Sequence, residues 1–259
     1  MPSDSPVPTL SGGLSDFFVG LGLPFRSLGL IFKGGKLRTL SVVSFVVTGL
    51  TLVGLVGLMW DFAWRITRAI VSEGALSWLV GLPIFAAIFI PAALTVPNLV
   101  LAPLQDPISE ATEERCGNFT APRFSLPLFI KSIGTSLAHT ASRLAIIVLG
   151  FIVLFPLHFV PVLGSAVYFA ASTAWAAWWL TAEYLSGPMA RHLMPFKRVT
   201  AAMRARPMVS LGFGLALYVV LWVPVLNFFL VPVAVVGGTL LFRALHTSPT
   251  FLEGPVSPG

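Results

Sequence analysis

Four stretches of this chain, residues 39–60, 74–105, 144–182 and 207–242, contain no Asp, Glu, Lys or Arg and run for 22, 32, 39 and 36 residues. One helical crossing of a bilayer needs only about 20 apolar residues. The last two runs are too long for one crossing, and each is interrupted near its middle by a proline, Pro161 or Pro224. A backbone in hydrocarbon must satisfy its own hydrogen bonds, so uncharged runs of this length specify helices. The chain is read as an all-α integral membrane protein.

The composition excludes the soluble alternative. With 56% hydrophobic and 10% charged residues and a mean hydropathy of +0.90, a soluble fold would be covered with apolar surface. The net charge of +6 does not point to nucleic acid, because the basic residues sit in short connections beside the apolar runs, as topology determinants do. Cys116 is the sole cysteine, which excludes an intrachain disulfide, and His139, His158, His192 and His246 lack ligand spacing. No metal, cofactor or nucleophile with a matching base is expected, so the chain does not read as an enzyme. The N-terminus lacks the pattern of a cleaved signal peptide.

Residues 1–13 and 247–259 are rich in Pro, Ser and Gly and are expected to be loose tails around one membrane domain, 14–246. Phe17, Phe18, Leu21, Phe25, Leu28 and Phe32 recur at roughly helical spacing, which predicts an amphipathic helix at the interface, kinked at Pro24. Runs 39–60 and 74–105 predict two long transmembrane helices, the second kinked by Pro83, Pro91, Pro97 and Pro103. The polar stretches 106–143 and 183–206 are expected on the cytoplasmic side, with Glu183 beside Tyr184 marking where the chain leaves the membrane. With both termini also inside, runs 144–182 and 207–242 must return to the side they enter, as helical hairpins.

The hairpin tips Val160-Pro161-Val162-Leu163-Gly164 and Val223-Pro224-Val225-Leu226-Asn227 are near-identical turns 63 residues apart, an internal repeat. Each combines a helix breaker with a residue tolerant of positive φ, Gly164 or Asn227. The first arms, 144–160 and 207–223, have 17 residues each, about 25 Å at the helical rise. Length alone allows either partial penetration or tilted full spans.

The segment Asn98-Leu-Val-Leu-Ala102-Pro103-Leu-Gln-Asp106-Pro-Ile-Ser-Glu110-Ala-Thr-Glu113 resembles the signature of the CysZ-type sulfate transporters, related to the etoposide-induced membrane proteins. Pro195-Phe196-Lys197, the block from Ala202 to Gly214, Pro224 to Asn227 and Pro232-Val-Ala234 are similar to the same family. The resemblance implies two long transmembrane helices, two partly penetrating hairpins, interfacial amphipathic helices and a homo-oligomer. It also implies passage of sulfate across a bacterial inner membrane toward cysteine biosynthesis. No nucleotide-hydrolysing motif accompanies it, since Gly35-Lys36 is followed by Leu37 rather than Ser or Thr.

A dianion in transit needs donors in place of its hydration shell, and helix N-terminal N–H groups beside Arg or Lys supply them. The loop Lys33-Gly34-Gly35-Lys36-Leu37-Arg38 before the first long helix offers that pattern, and the family's sulfate contacts map onto Gly34, Gly35, Lys36, Leu37 and Arg38. Thr39 stands where the family carries a second arginine. A basic cluster before a membrane helix also serves as an orientation signal and headgroup anchor.

Glu110 and Glu113, one turn apart, are candidates for ion pairs with Arg204 or Arg206 at a pore entrance or in a structural network. Asn98, inside an apolar helix, is expected to bond a neighbouring helix or a carbonyl freed by a proline. The sequon Asn118-Phe119-Thr120 carries little weight in a cytoplasmic stretch. Two further readings stay open: a non-conducting membrane scaffold, and a channel for another small solute.

Overall fold

The computed structural model describes residues 6–71, 74–117, 126–161, 163–221 and 224–247. The ends of both expected tails and the sequon at 118–120 lie outside the described residues, as do the side chains of Asn98, Pro224 and Asn227. Among the described residues the elements are α1 (Leu14–Phe32), α2 (Gly35–Ile70), α3 (Ala75–Cys116), α4 (Leu126–Leu154), a 3-10 turn (Phe155–Phe159), α5 (Gly164–Arg191), α6 (Phe196–Ala205), α7 (Pro207–Leu221) and α8 (Pro224–His246).

Helices α2 and α3, with 36 and 42 residues, form an antiparallel pair about 54 and 63 Å long. Both continue well past the uncharged runs, and α3 stays helical through Pro83, Pro91, Pro97 and Pro103. At one end of the pair Trp60, Trp64, Trp78 and Phe85 stack with centroids 4.8 to 6.0 Å apart. Such aromatic girdles mark a membrane interface. Gly35 to Trp60 then spans about 38 Å, enough for the hydrocarbon core and its flanks.

The centre of the bundle is α8. Val231 to Phe242 are all buried, as are Ala244 and Leu245, against α1, α2, α3, α5 and α7. A helix apolar on every side belongs in a core, which explains why run 207–242 shows no amphipathic period. Close approach of α7 and α8 to their neighbours is made at small residues. A Cβ on Gly214 would lie 1.8 Å from the Ala177 carbonyl, one on Gly212 2.2 Å from that of Phe17, and one on Gly238 2.4 Å from that of Tyr184. Membrane helices pack through such contacts because lipid supplies no hydrophobic drive between them.

The two hairpins differ more than their tips suggest. The first rises on α4, which starts at Leu126 inside the expected polar stretch, and descends on α5, which runs on to Arg191. Glu183 therefore lies inside α5, where it pairs with Arg143 at 3.8 Å, rather than at the helix end. Residues 138–159 form an apolar segment long enough to cross a membrane, with none of its most apolar window buried. In the second hairpin α7 has 15 residues, about 22 Å, short of a 30 Å hydrocarbon core. Gly164 does not use a positive φ: it opens α5, and its Cβ would sit 2.3 Å from the Leu157 carbonyl, so close approach is what requires glycine.

Gly214→Ala is expected to cost about 1–3 kcal/mol, because the neighbouring α5 backbone cannot yield. Gly22→Ala, with nothing within 4 Å of the new methyl, should be neutral or slightly stabilising. Thermal unfolding of both variants in detergent checks the contrast, and equal effects would contradict this packing.

Candidate functional site

The turn joining α1 to α2 is made by two glycines in the left-handed region, Gly34 (φ 89°) and Gly35 (φ 73°), where a side chain would be strained. Gly34 caps α2 with no side-chain hydrogen bond, which leaves the first-turn N–H groups of α2 without a side-chain acceptor. The last turn of α3 closes over this loop. Lys36 Nζ lies 3.2 Å from Glu114 Oε1, and Arg115 Nη2 donates to the Gly34 carbonyl. A Cβ on Gly35 would come 2.8 Å from Arg115 Nη2, so the guanidinium sits against the helix N-terminus.

Among the expected anion contacts, Arg38 is exposed and Leu37 is fully buried. Only the backbone of Leu37 can face an anion, because its side chain fills the core beneath the loop. Thr39 Oγ1 is 3.5 Å from the Gly35 carbonyl. An anion here would meet α2 N–H groups and the charges of Lys36 and Arg115 together.

Glu113, on the same α3 turn, points the other way and is fully buried. Arg191 Nη2 lies 3.2 Å from its Oε1 and His192 Nε2 3.1 Å from its Oε2. Arg191 also donates to the Asp106 carbonyl at 3.1 Å and to Ser109 Oγ, which sits 2.7 Å from Thr239 Oγ1 on α8. Arg243 Nη2 donates to the Gly117 carbonyl at 2.8 Å. Residues 113–117 thus tie the N-terminus of α2 to the C-terminal ends of α5 and α8.

The expected pairing of Glu113 with Arg204 or Arg206 is corrected. Arg206 lies 3.2 Å from Oδ2 of the buried Asp16, whose Oδ1 accepts from the Ser11 and Gly12 amides. Arg204 is exposed on α6, and Glu110 is half-buried with no charged partner among the described residues. The site residues missed in the sequence are Arg115, Arg191, His192 and Arg243. The run Glu113-Glu114-Arg115 at the end of a proline-rich span was the available signal for the first; nothing local distinguished the others.

Taken together, the long α2–α3 pair, the core hairpin and the cation-bearing loop define a multi-pass α-helical membrane protein with a cation-rich polar end. The chain belongs to the family described as sulfate transporter CysZ/etoposide-induced protein 2.4, which it matches over residues 23–232. Curated relatives named sulfate transporter CysZ, from Salmonella paratyphi A and Salmonella typhimurium, are each 30% identical to it over 156 residues. The aligned region is 59% of this chain and 62% of each relative, so the chain spans less than two thirds of their length.

Glu113→Ala removes the carboxylate facing Arg191 and His192 and is expected to cost about 3–5 kcal/mol, read as loss of monodisperse, folded protein in detergent. Cys116, beyond the apolar run, has its thiol pushed up to about 11 by burial, with Arg243 acting weakly against this and Glu113 adding to it. The thiolate is the reactive form. Maleimide labelling of folded protein should therefore be slow near neutrality and rise about tenfold per pH unit toward pH 10; fast, pH-independent labelling would contradict this environment.

Proposed function

We propose that this protein carries sulfate, or a chemically similar oxyanion, across the bacterial inner membrane toward assimilation into cysteine. It does so as a homo-oligomer with both termini cytoplasmic and residues 14–246 as the working unit. It acts as a transport protein and not as an enzyme. The observation that carries this reading is the meeting of Lys36 and Arg115 at the N-terminus of α2, which has no side-chain cap, with exposed Arg38 one turn further along the helix. The naming of the Salmonella relatives as sulfate transporters supports it.

The chemistry follows from desolvation. A sulfate dianion leaving water keeps its stabilisation only if N–H donors and cations replace the hydration shell. The two glycines let the backbone approach closely. Lys36 now faces Glu114 and Arg115 faces a carbonyl, so an arriving anion competes for both: binding loosens the clasp of α3 on the loop, and departure restores it. That exchange keeps affinity low enough for release, which conduction requires.

Uptake of radiolabelled sulfate into proteoliposomes tests the proposal. Wild type should show saturable uptake. Arg38→Ala and Lys36→Ala should each lower it about tenfold, the worth of one charge-assisted contact, and Arg115→Ala at least as much. Competition by other anions reads selectivity at Thr39. Wild-type uptake no greater than that of empty liposomes, with protein correctly inserted, would reject transport in favour of a membrane scaffold.

A further inference from the structure

Helix α1 is apolar on two opposite sides. Its inner face, with Asp16, Gly20, Leu23, Ser27, Leu30 and Ile31, is buried. Gly20 abuts α7 at Val209 and Phe213, and Ser27 lies against Gly237 of α8. These contacts fall in the first half of α7 and the second half of α8, and α1 begins beside Arg206 and ends at the loop held by Arg115, so both its ends lie at the polar end of the bundle. At about 100° per residue, Leu14, Phe18, Phe25 and Phe32 fall within about 40° of one another on the outer side. They are 68% to 75% exposed, a row of large side chains that nothing in the chain covers among the described residues.

Arg26 and Lys33 stand about a quarter-turn round α1 from this row, both exposed. Helix α6 repeats the arrangement: Val199, Ala202 and Met203 are buried, and Lys197 and Arg204, seven residues apart, are exposed on the opposite side. The Asp16–Arg206 ion pair joins the start of α1 to the end of α6, so both helices share one end of the molecule. The balance of charge there favours cations, since Asp106 and Glu110 are the carboxylates of residues 106–206 without a salt bridge among the described residues. The carboxylates of Asp16, Glu113, Glu114 and Glu183 are held by Arg206, Arg191 with His192, Lys36 and Arg143. Arg26, Lys33, Lys197 and Arg204 have no carboxylate partner among the described residues.

We propose that α1 and α6 together form a docking surface for anionic phospholipid. The phenylalanine row enters the acyl region, and Arg26, Lys33, Lys197 and Arg204 hold phosphate headgroups. Phenylalanine beside exposed cations is the pattern of a helix lying in the interface of an anionic membrane. Each basic side chain near such a surface adds to attraction that falls off within a Debye length. A zwitterionic headgroup offers no net charge to match the four cations, so the preference is for lipid carrying net negative charge.

The test titrates full-length protein in nonionic detergent with phosphatidylglycerol or phosphatidylcholine, following Tm and counting bound lipid by native mass spectrometry. Wild type should gain more Tm and retain more lipid with phosphatidylglycerol. Arg26→Gln, Lys33→Gln, Lys197→Gln and Arg204→Gln combined should lose most of that preference, and Phe18→Ser with Phe25→Ser should weaken both lipids. Sodium sulfate and sodium phosphate form the arm that separates a headgroup from a free anion. Equal response to the two lipids, a preference surviving in the fourfold variant, or full replacement of the lipid effect by either salt would each overturn the proposal. The wild-type lipid and salt arms decide it even where a variant fails to fold. None of these readouts depends on sulfate uptake, so this proposal and the transport reading can fail separately.

Discussion

In hydrocarbon, one apolar helix gains little by choosing one apolar neighbour over another, so register must come from the few contacts that are not interchangeable. Here two kinds of contact supply it. Glycine crossings set the distance and rotation of α7 and α8 against α1 and α5, because a single added methyl would meet a backbone carbonyl. Buried polar contacts set the ends: Glu113 against Arg191 and His192, Ser109 against Thr239, and Asp16 against Arg206. The uniformly apolar α8 could take many rotations without them.

The last turn of α3 ties three other helices together. Glu113 anchors it to α5, the Gly117 carbonyl joins it to α8 through Arg243, and Glu114 and Arg115 hold the double-glycine loop of α2. Lys36 and Arg115 are therefore linked through this turn to the ends of α5 and α8. A flexible loop with the same charges would bind an anion without this connection. The long helices make the turn rigid and keep the cations close to one another.

Much of the architecture was legible in the residues. Uncharged runs of the right length can only be membrane helices, and prolines at the centres of the two longest can only be turns or kinks. The spacing of Phe17, Phe18, Leu21, Phe25, Leu28 and Phe32 located the helix α1 but not its buried face, which is made by Asp16, Gly20, Leu23, Ser27, Leu30 and Ile31 instead. What could not be read was which hairpin is core and which is peripheral. Both have apolar arms and near-identical tips, yet Val231 to Phe242 of α8 are all buried while the most apolar window of α4 has no buried residue. Lipid and protein interior are equally apolar solvents, so hydropathy does not distinguish them.

The same division holds for the site. The sequence by itself determined that Gly34, Gly35, Lys36 and Arg38 stand at the start of a long helix, and with that the first-turn N–H groups and the positive charge, because these depend only on local backbone and side-chain chemistry; the structure begins that helix at Gly35, so Lys36 and Arg38 lie in its first turn. Only the tertiary structure decided that Leu37 turns into the core, that Arg115 arrives from 81 residues away to clasp the loop, and that Glu113 and Arg206 choose Arg191 with His192 and Asp16 as partners. Ion-pair partners across a bundle depend on helix rotation and depth, which are fixed by glycine contacts between distant segments and leave no local trace in the sequence.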